Sequence, residues 1–478
     1  MIAALLLTGC SASEFSDTVQ GLVSAGTEQA GEDAVEQSGE EAKADGGSDN
    51  GQSQESVSNE SEKNLSASSA TGSSSTLIDT TDLFSDRDLE QEADLTDATN
   101  FTLTSGEDIS ITAEGVYVIS GTATGSSIIV EAADTDKVQI VLDGVSITNE
   151  DSPAIYVKSA DKVFVTTTDS ENTLKVTGTF TADGEVNTDA VIYSKEDLVL
   201  NGVGTLNITS YDNGISCKDD LKVTGGTYNI TSEADAIEAN DSVRISDGTF
   251  SIDTAKDAIH AENEEDNTLG YIYISGGTFN IDSDSDGIQA TTVLMIDGGT
   301  FDIKAGEGLE ATYVQINDGT FNIEASDDGI NATQKSTAYD VVIEINSGNI
   351  TVNMGSGDTD ALDANGYIYI NGGTVDITAQ FAFDFDKGAE LNGGTVTVNG
   401  EEVTEISNSM MMGGGGFGGG RGGMNGQAPD GSQMPEGGQM PQGGFGGHGG
   451  RGGNGGFNGQ APGSQTTEDG QTSGSQTP

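Results

Sequence analysis

The sequence is short of basic, aromatic and sulfur-containing side chains. It has 17 Lys and Arg against 79 Asp and Glu, for a formal net charge of −62, and it contains no Trp, two His and two Cys. This charge excludes nucleic acid as a natural partner, because phosphate binding depends on Lys and Arg. Two cysteines are too few for a disulfide framework, and the shortage of His and Cys argues against a transition-metal site. The acidic excess instead favours divalent cations as partners.

Long apolar runs are also lacking, and no segment is long enough to cross a membrane as a helix. Residues 1–10 end in Leu-Thr-Gly-Cys, which resembles a bacterial lipobox with Cys10 as the lipidated residue. No Lys or Arg precedes this cysteine and the apolar run is short, which indicates a truncated or misassigned start. We therefore expect an extracellular, cell-surface lipoprotein that is attached to the membrane only through a lipid on Cys10.

What the sequence does contain is an internal repeat, marked by a threonine after a Gly-rich turn. Successive positions are 22, 29, 22, 20, 29, 25 and 21 residues apart, a period typical of a solenoid. The positions are Thr227, Thr249, Thr278, Thr300, Thr320, Asn349, Thr374 and Thr395.

Each repeat consists of short runs in which apolar and polar residues alternate, broken by Gly, Asp and Asn, which indicates β-strands. Stacked repeats would place equivalent apolar residues in columns inside a coil, with Phe250, Phe279, Phe301 and Phe321 forming a core stack. Cys217 falls at an inward position and is expected to be a small core residue. The sequence thus predicts an all-β fold, a right-handed parallel β-helix with about 22 residues per coil and disordered ends.

Composition divides the chain into five segments. Residues 1–10 are the lipoprotein signal, and residues 11–77 form an acidic, Ser- and Glu-rich tether that cannot bury enough apolar surface to fold. Residues 78–188 are the N-terminal cap and irregular first coils, and residues 189–400 are the regular coils. Residues 401–478 form a tail rich in Gly, Met and Gln, which is expected to be disordered.

Two polar columns are expected along one side of the coils. In each coil an acidic turn residue is followed by a short strand in which Ile or Leu and a final Ala point inward, so that the residue between them points outward. Carboxylates stacked about 5 Å apart repel each other by about 1 kcal/mol in water and about 3 kcal/mol near a protein surface. Ca²⁺ would offset this repulsion, since it takes six to eight oxygen ligands in flexible geometry. The candidate ligands are Asp235, Glu238, Asp257, Asp286, Gln289, Glu307, Glu310, Asp328, Asn331, Asp360, Asp363 and Asp384.

A structural role is the alternative for the turn column, because Asp before Gly is an ordinary turn signal that a solenoid repeats in every coil. A further column on another strand contains tyrosines that we expect to be exposed and to stack on sugar rings, although tyrosine is also a common strand residue. These candidates for carbohydrate binding are Tyr271, Tyr273, Tyr313, Tyr367 and Tyr369.

Several phrases of the sequence resemble the bacterial carbohydrate-binding β-helix adhesins, among them DKVQIVLDGVSIT, YDNGISCKDDLKVTGGT and the repeated DGI and GGT coils. The resemblance covers residues of about 80–400. It implies a cell-surface protein that binds cellulose or acidic sugars such as polygalacturonate with calcium. It does not identify individual calcium ligands.

A calcium-dependent polysaccharide lyase or pectin hydrolase is the rival interpretation, because many parallel β-helices cleave pectin. The GDD and RIK elements of polygalacturonases are missing, no GHG element lies within residues 78–400, and no Arg stands in a lyase motif. Asp257, His260 and Arg244 form the one local group that could be called catalytic. A purely structural surface spacer is a third interpretation. We expect a non-catalytic protein that binds polysaccharide through bridging Ca²⁺.

Overall fold

The computed structural model describes residues 77–356 and 359–408, and every regular element in these ranges is a β-strand. Cys10, the tether up to residue 76 and the tail from residue 409 lie outside the described residues. No helix among the described residues is long and apolar enough to cross a membrane.

The strands are numbered along the chain. The first twelve are β1 Thr99–Thr102, β2 Ile109–Ile111, β3 Gly115–Thr124, β4 Ile128–Glu131, β5 Lys137–Asn149, β6 Ile155–Ser159, β7 Lys162–Thr167, β8 Glu171–Val176, β9 Ala190–Ser194, β10 Asp197–Gly202, β11 Thr205–Thr209 and β12 Asn213–Cys217. The next twelve are β13 Asp220–Val223, β14 Thr227–Ser232, β15 Ile237–Ala239, β16 Ser242–Ile245, β17 Thr249–Thr254, β18 Ile259–Ala261, β19 Tyr271–Ile274, β20 Thr278–Ser283, β21 Asp286–Ala290, β22 Val293–Ile296, β23 Thr300–Ala305 and β24 Glu307–Ala311. The last twelve are β25 Tyr313–Ile316, β26 Thr320–Ala325, β27 Ile330–Ala332, β28 Val342–Ile345, β29 Asn349–Met354, β30 Asp360–Ala364, β31 Tyr367–Ile370, β32 Thr374–Thr378, β33 Phe381–Phe385, β34 Gly388–Leu391, β35 Thr395–Val398 and β36 Glu401–Val403.

These strands form three stacks of parallel strands, so the chain is an all-β, solenoid-like protein. The first stack runs from β1 through β3, β5, β7 and β10 and then takes every third strand to β34. The second stack includes the later halves of β3 and β5, then β8, and again takes every third strand to β35. The third is a separate sheet of 12 strands from β2 to β33. An antiparallel pairing of β35 with β36 follows the last coil.

The strand register reproduces the sequence repeat. Thr227 pairs with Thr249, which pairs with Thr278, and the ladder continues to Thr395 through the predicted positions. Coil lengths therefore vary between 20 and 29 residues along this ladder. The right hand of the coil and a uniform repeat of about 22 residues stay predictions.

The interior contains the apolar columns that the alternation predicts. Phe250, Phe279, Phe301 and Phe321 stack with centroids 4.6–4.7 Å apart and rings within 4° of parallel. Tyr228 extends this column, 5.3 Å from Phe250. Cys217 is fully buried in the same core. The core predictions for the Phe column and Cys217 are thus confirmed.

A glycine precedes each threonine of the repeat ladder, and its conformation explains why the turn sequence recurs. Gly277 and Gly299, for example, have φ angles of 110° and 119°, which residues other than glycine rarely adopt. A Cβ at Gly299 would also lie 2.9 Å from the ring of Phe301, two residues later. The turn therefore requires glycine both for its backbone angle and for the space that the phenyl ring occupies.

Residues 77–91, which we call the covering segment, contain no strand and pack on the outer face of the first stack. Leu83 and Phe84 contact an apolar cluster around Tyr273 and Met295. Further along, the Asp88 carboxylate lies 3.3 Å from Lys222 Nζ and 3.7 Å from Lys162 Nζ. The Gln91 side chain accepts a hydrogen bond from the Gly202 N–H at 2.9 Å. The covering segment thus hides part of a sheet face that would otherwise be open to solvent.

Candidate functional site

The third stack brings the predicted outer column together. Its register pairs Glu238 with His260, His260 with Gln289, and Gln289 with Glu310. It then pairs Glu310 with Asn331, Asn331 with Asp363, and Asp363 with Asp384. These side chains are half-buried or buried. The alternation of apolar and polar residues along these short strands thus correctly predicts that one polar residue per coil lies in a single column.

The turn column lies beside it and has a structural function of its own. The backbone N–H of Asp257 donates to Asp235 Oδ1 at 3.1 Å, and that of Asp286 donates to Asp257 Oδ1 at 3.0 Å. The backbone N–H of Asp360 donates to Asp328 Oδ1 at 3.1 Å. Each of these bonds joins adjacent coils, so these turn carboxylates serve as hydrogen-bond acceptors between coils.

Two groups in these columns have the spacing of a metal site. The first, cluster I, consists of Asp235, Asp257 and His260, and the second, cluster II, consists of Asp286, Glu307 and Glu310. Within each group the potential ligand atoms lie within 4.8 Å of one another.

Cluster I includes a histidine, which changes its chemistry. His260 Nδ1 is 3.2 Å from Asp235 Oδ2 and 3.7 Å from Asp257 Oδ2. Burial lowers the pKa of His260, but the hydrogen bond and charge of Asp235, with the charge of Asp257, outweigh burial and raise the pKa. A protonated imidazole would offset one of these two carboxylate charges without a metal ion. Imidazole is also a poor ligand for Ca²⁺, which prefers oxygen.

Cluster II has oxygen ligands throughout. Gln289 Nε2 donates to Asp286 Oδ2 and, at 2.8 Å, to Glu310 Oε2. Asn331 Nδ2 donates to Glu307 Oε2 at 2.9 Å. The Oδ1 atom of Asn331 is buried without a hydrogen-bond partner, in a residue that is only 8% exposed. Carboxylate and amide oxygens gathered in this way fit a hard divalent cation.

The electrostatics of cluster II favour added positive charge. Burial, followed by the charges of Asp257, Glu307 and Glu310, raises the pKa of Asp286 to about 8. Burial and the charge of Glu310 raise the pKa of Glu307 to about 7. These carboxyls therefore hold protons near neutral pH in the absence of another cation, and a bound cation would displace those protons.

The remaining candidate ligands fall outside the two clusters. Glu238 accepts hydrogen bonds from Asn213 Nδ2 at 2.9 Å and Ser216 Oγ at 3.1 Å. In the last coils, burial and the charges of Asp328 and Asp384 raise the pKa of Asp363 to about 7. Asp384 Oδ1 accepts a hydrogen bond from Asn408 at 2.7 Å. The twelve candidates thus follow two neighbouring columns, and of the two compact groups cluster II is the one whose ligand atoms are all oxygens.

The expectation of an exposed tyrosine column is wrong, because Tyr273 is buried and the other four tyrosines are half-buried. The covering segment leaves Tyr273 only 6% exposed, with its hydroxyl donating to Asp297 Oδ2 at 2.9 Å. Tyr271 and Tyr313 pack against the same apolar cluster and are half-buried. Tyr367 and Tyr369 lie beyond this cluster and stack on each other at 5.7 Å. They are the tyrosines of the column that remain candidates for contact with sugar.

The group of Asp257, His260 and Arg244 does not assemble. Arg244 lies on the first stack, where its Nη2 is 2.7 Å from Asp220 Oδ2, whereas Asp257 and His260 lie on the third. The structure therefore contradicts the prediction that these three residues form one local group.

Sequence reasoning missed Lys335. Its Nζ is 2.7 Å from Glu310 Oε2, which places a basic side chain at cluster II. Lys335 belongs to an irregular insertion between β27 and β28, so no repeat pattern indicated its position. Asn213 was also missed, although the phrase NGISC follows the same frame as DGIQA: its Oδ1 accepts the backbone N–H of Asp235 at 2.9 Å and so begins the turn ladder one coil earlier.

Comparison with known proteins identifies the family. A family model described as carbohydrate-binding domain-containing protein matches residues 105–361, more than half of the chain. A carbohydrate-binding domain-containing protein of Acetivibrio thermocellus is 37% identical over 128 residues, which are 26% of this chain and 44% of that protein. The match thus spans less than half of that relative's length.

A solved structure described as the polysaccharide lyase-like protein from C. thermocellum, gadolinium derivative, is 26% identical in sequence. The alignment covers 62% of this chain and 98% of that one, with a TM-score of 0.38. On the family match, this chain belongs to the carbohydrate-binding domain-containing protein family.

Proposed function

We propose that this protein is a non-catalytic, cell-surface carbohydrate-binding lipoprotein that binds acidic polysaccharide with the help of Ca²⁺. The family supports carbohydrate as the partner. The observation that carries the cation is cluster II, where three carboxylates lie within 4.8 Å of one another beside a buried amide oxygen that lacks a partner.

Asp286, Glu307 and Glu310 would hold the ion, with Asn331 and Gln289 as neighbouring amide ligands. Ca²⁺ supplies positive charge that protein carboxylates and uronate carboxylates can share. A bridging Ca²⁺ would explain how a chain with a net charge of −62 binds an acidic polymer. A neutral polymer such as cellulose offers no carboxylate for this bridge, so its binding would depend on ring stacking instead.

Stacking and hydrogen bonding are supported on the uncovered part of the first stack. Tyr367 and Tyr369 are half-buried there and lie outside the apolar cluster that the covering segment contacts. Beside them, Asn317, Asn346, Asn371 and Asn392 form a ladder in which the Nδ2 of each of the last three donates to the Oδ1 of the preceding Asn at 2.8–2.9 Å. Aromatic faces next to amide groups are suited to sugar rings and hydroxyls.

Attachment to the cell surface through a lipid on Cys10 is part of the same proposal. It rests on the Leu-Thr-Gly-Cys sequence alone. Incorporation of a labelled fatty acid that is lost in Cys10→Ala would test it.

The central test is calorimetry of the full chain with Ca²⁺ and then with polygalacturonate, next to Glu310→Gln and a control, Glu324→Gln. Glu310 is 6% exposed in cluster II, whereas Glu324 is exposed on another strand. We expect wild type and Glu324→Gln to bind both ligands and Glu310→Gln to lose most of its Ca²⁺ affinity. Polygalacturonate binding that survives excess chelator would refute the bridging mechanism.

A polysaccharide lyase is the second candidate function, and Lys335 is the observation that favours it. A basic side chain beside a cation site is what removal of a proton next to a uronate carboxylate requires. Unsaturated product, followed by ultraviolet absorbance in the same samples, would move the protein into this class. Binding of neither Ca²⁺ nor glycan would leave a structural spacer.

A further inference from the structure

Two insertions build a cleft next to cluster II. Residues 262–270 follow β18 and residues 333–341 follow β27, and the two loops touch across the intervening coils. Asn267 Nδ2 donates to Thr337 Oγ1 at 3.1 Å, and Ser336 Oγ donates to the Asn267 carbonyl at 2.6 Å. They border an open cavity of about 920 Å³. Its lining includes four acidic side chains of the first loop and a single cation, Lys335.

The backbone of Lys335 is held in place, whereas its side chain can move. The N–H groups of Lys335 and Ser336 both donate to Thr312 Oγ1, at 3.0 and 2.8 Å. The Lys335 side chain is 28% exposed, while that of its partner Glu310 is 8% exposed. The lysine stem can therefore rotate from Glu310 toward the cavity while the loop stays in place.

Lys335 acts as the internal counter-ion of cluster II. In the part of the chain that the structure describes, no other Lys or Arg forms an ion pair with Asp286, Glu307 or Glu310. A divalent cation on these carboxylates and an ammonium 2.7 Å from one of them would repel each other strongly in a partly buried site. The two cations therefore compete for Glu310.

The amide of Asn331 is a second, independent indication of a ligand at cluster II. Its nitrogen contacts Glu307 Oε2 at 2.9 Å, and its buried oxygen has no hydrogen-bond partner. A buried acceptor that is left unsatisfied is costly and calls for a partner. Rotation of the amide by half a turn would direct this oxygen to a cation at the carboxylates.

We propose that Lys335 is an exchangeable counter-ion that couples cation binding to recognition of acidic sugar. It neutralises Glu310 until a divalent cation takes that carboxylate. The released ammonium then turns into the cavity and binds the carboxylate of a uronate residue. This inference rests on the proposed function and assigns the sugar-recognising charge to one side chain.

The test compares wild type with Lys335→Met, which keeps the length of the side chain and removes its charge. Lys304→Met is the control, because Lys304 pairs with Asp282 at 2.8 Å on an exposed strand surface. Calorimetry of the full chain with Ca²⁺ alone should show about tenfold tighter binding in Lys335→Met and no change in Lys304→Met. In saturating Ca²⁺, polygalacturonate should bind Lys335→Met about tenfold more weakly than wild type.

Unchanged or weaker Ca²⁺ binding in Lys335→Met would overturn the inference alone, provided that wild type binds Ca²⁺. Undiminished polygalacturonate binding by this variant would overturn its recognition step. A wild-type chain that binds no Ca²⁺ would overturn the proposed function together with the inference.

Discussion

Asp257 Oδ1 accepts a hydrogen bond from the backbone N–H of Asp286, one coil further along the stack, at 3.0 Å. One oxygen of Asp257 thus joins two coils while the other lies 3.7 Å from His260. The structural role of Asp257 is therefore compatible with a charge interaction, because the hydrogen bond from Asp286 and the contact with His260 use different oxygens of the same residue.

This geometry predicts a difference between two substitutions of Asp257. Asp257→Asn keeps an oxygen for the Asp286 N–H and should change the free energy of unfolding little. Asp257→Ala leaves that buried N–H without a partner and should destabilise the fold by about 1–3 kcal/mol. Urea denaturation in chelator measures both. Equal stability of the two variants would show that the hydrogen bond contributes nothing.

The raised pKa of Asp286 predicts an unusual dependence of stability on pH. The folded-state pKa is about 8, above the ordinary value, so its contribution to stability is fully present below the ordinary pKa of an aspartate. It is lost as the pH rises through the folded value. In chelator, the melting temperature should therefore fall between pH 6 and pH 9 by about a few degrees.

Asp286→Asn should flatten this pH profile, whereas Asp253→Asn, at an exposed strand position, should not. Added Ca²⁺ should restore stability at high pH in wild type, because it neutralises the same carboxylates. A wild-type melting temperature that rises steadily from pH 6 to pH 9 would contradict the electrostatic description of cluster II.

The covering segment predicts a strong effect at Asp88. Its carboxylate is 1% exposed between Lys162 and Lys222. Asp88→Ala would leave the two ammonium groups without this partner and should cost about 3–5 kcal/mol of unfolding free energy. Asp282→Ala removes an exposed ion pair and should cost less than about 1 kcal/mol. Losses of similar size in guanidinium denaturation would contradict the burial of Asp88.

The two environments of the tyrosine column predict opposite phenotypes. Tyr369→Ala, outside the apolar cluster that the covering segment contacts, should weaken glycan binding with little change in melting temperature. Tyr273→Ala removes a buried aromatic ring and should destabilise the fold by about 3–5 kcal/mol. Thermal melting and a polysaccharide pull-down separate the two. Full glycan binding by Tyr369→Ala would remove this tyrosine from the proposed binding surface.

Local alternation was sufficient to predict the strand register. The pairing of Phe250 with Phe279 and of Glu310 with Asn331 follows from residues that recur in each coil, because a repeated coil must place equivalent residues side by side. The burial of Tyr273 could not be predicted in this way. It depends on Leu83 and Phe84, which lie about 190 residues earlier in a segment with no repeat. Lys335 was likewise outside any periodic pattern.

The two 29-residue coils have a consequence for how such a protein can diversify. Their extra residues form loops at one corner of the coil, between the third and first stacks. Across these loops Phe250 still pairs with Phe279, and Phe321 still pairs with Ile350. Length can thus be added at this corner without a change of phase in the interior. Relatives that share the coils but differ in these loops would keep the same scaffold and present different surfaces.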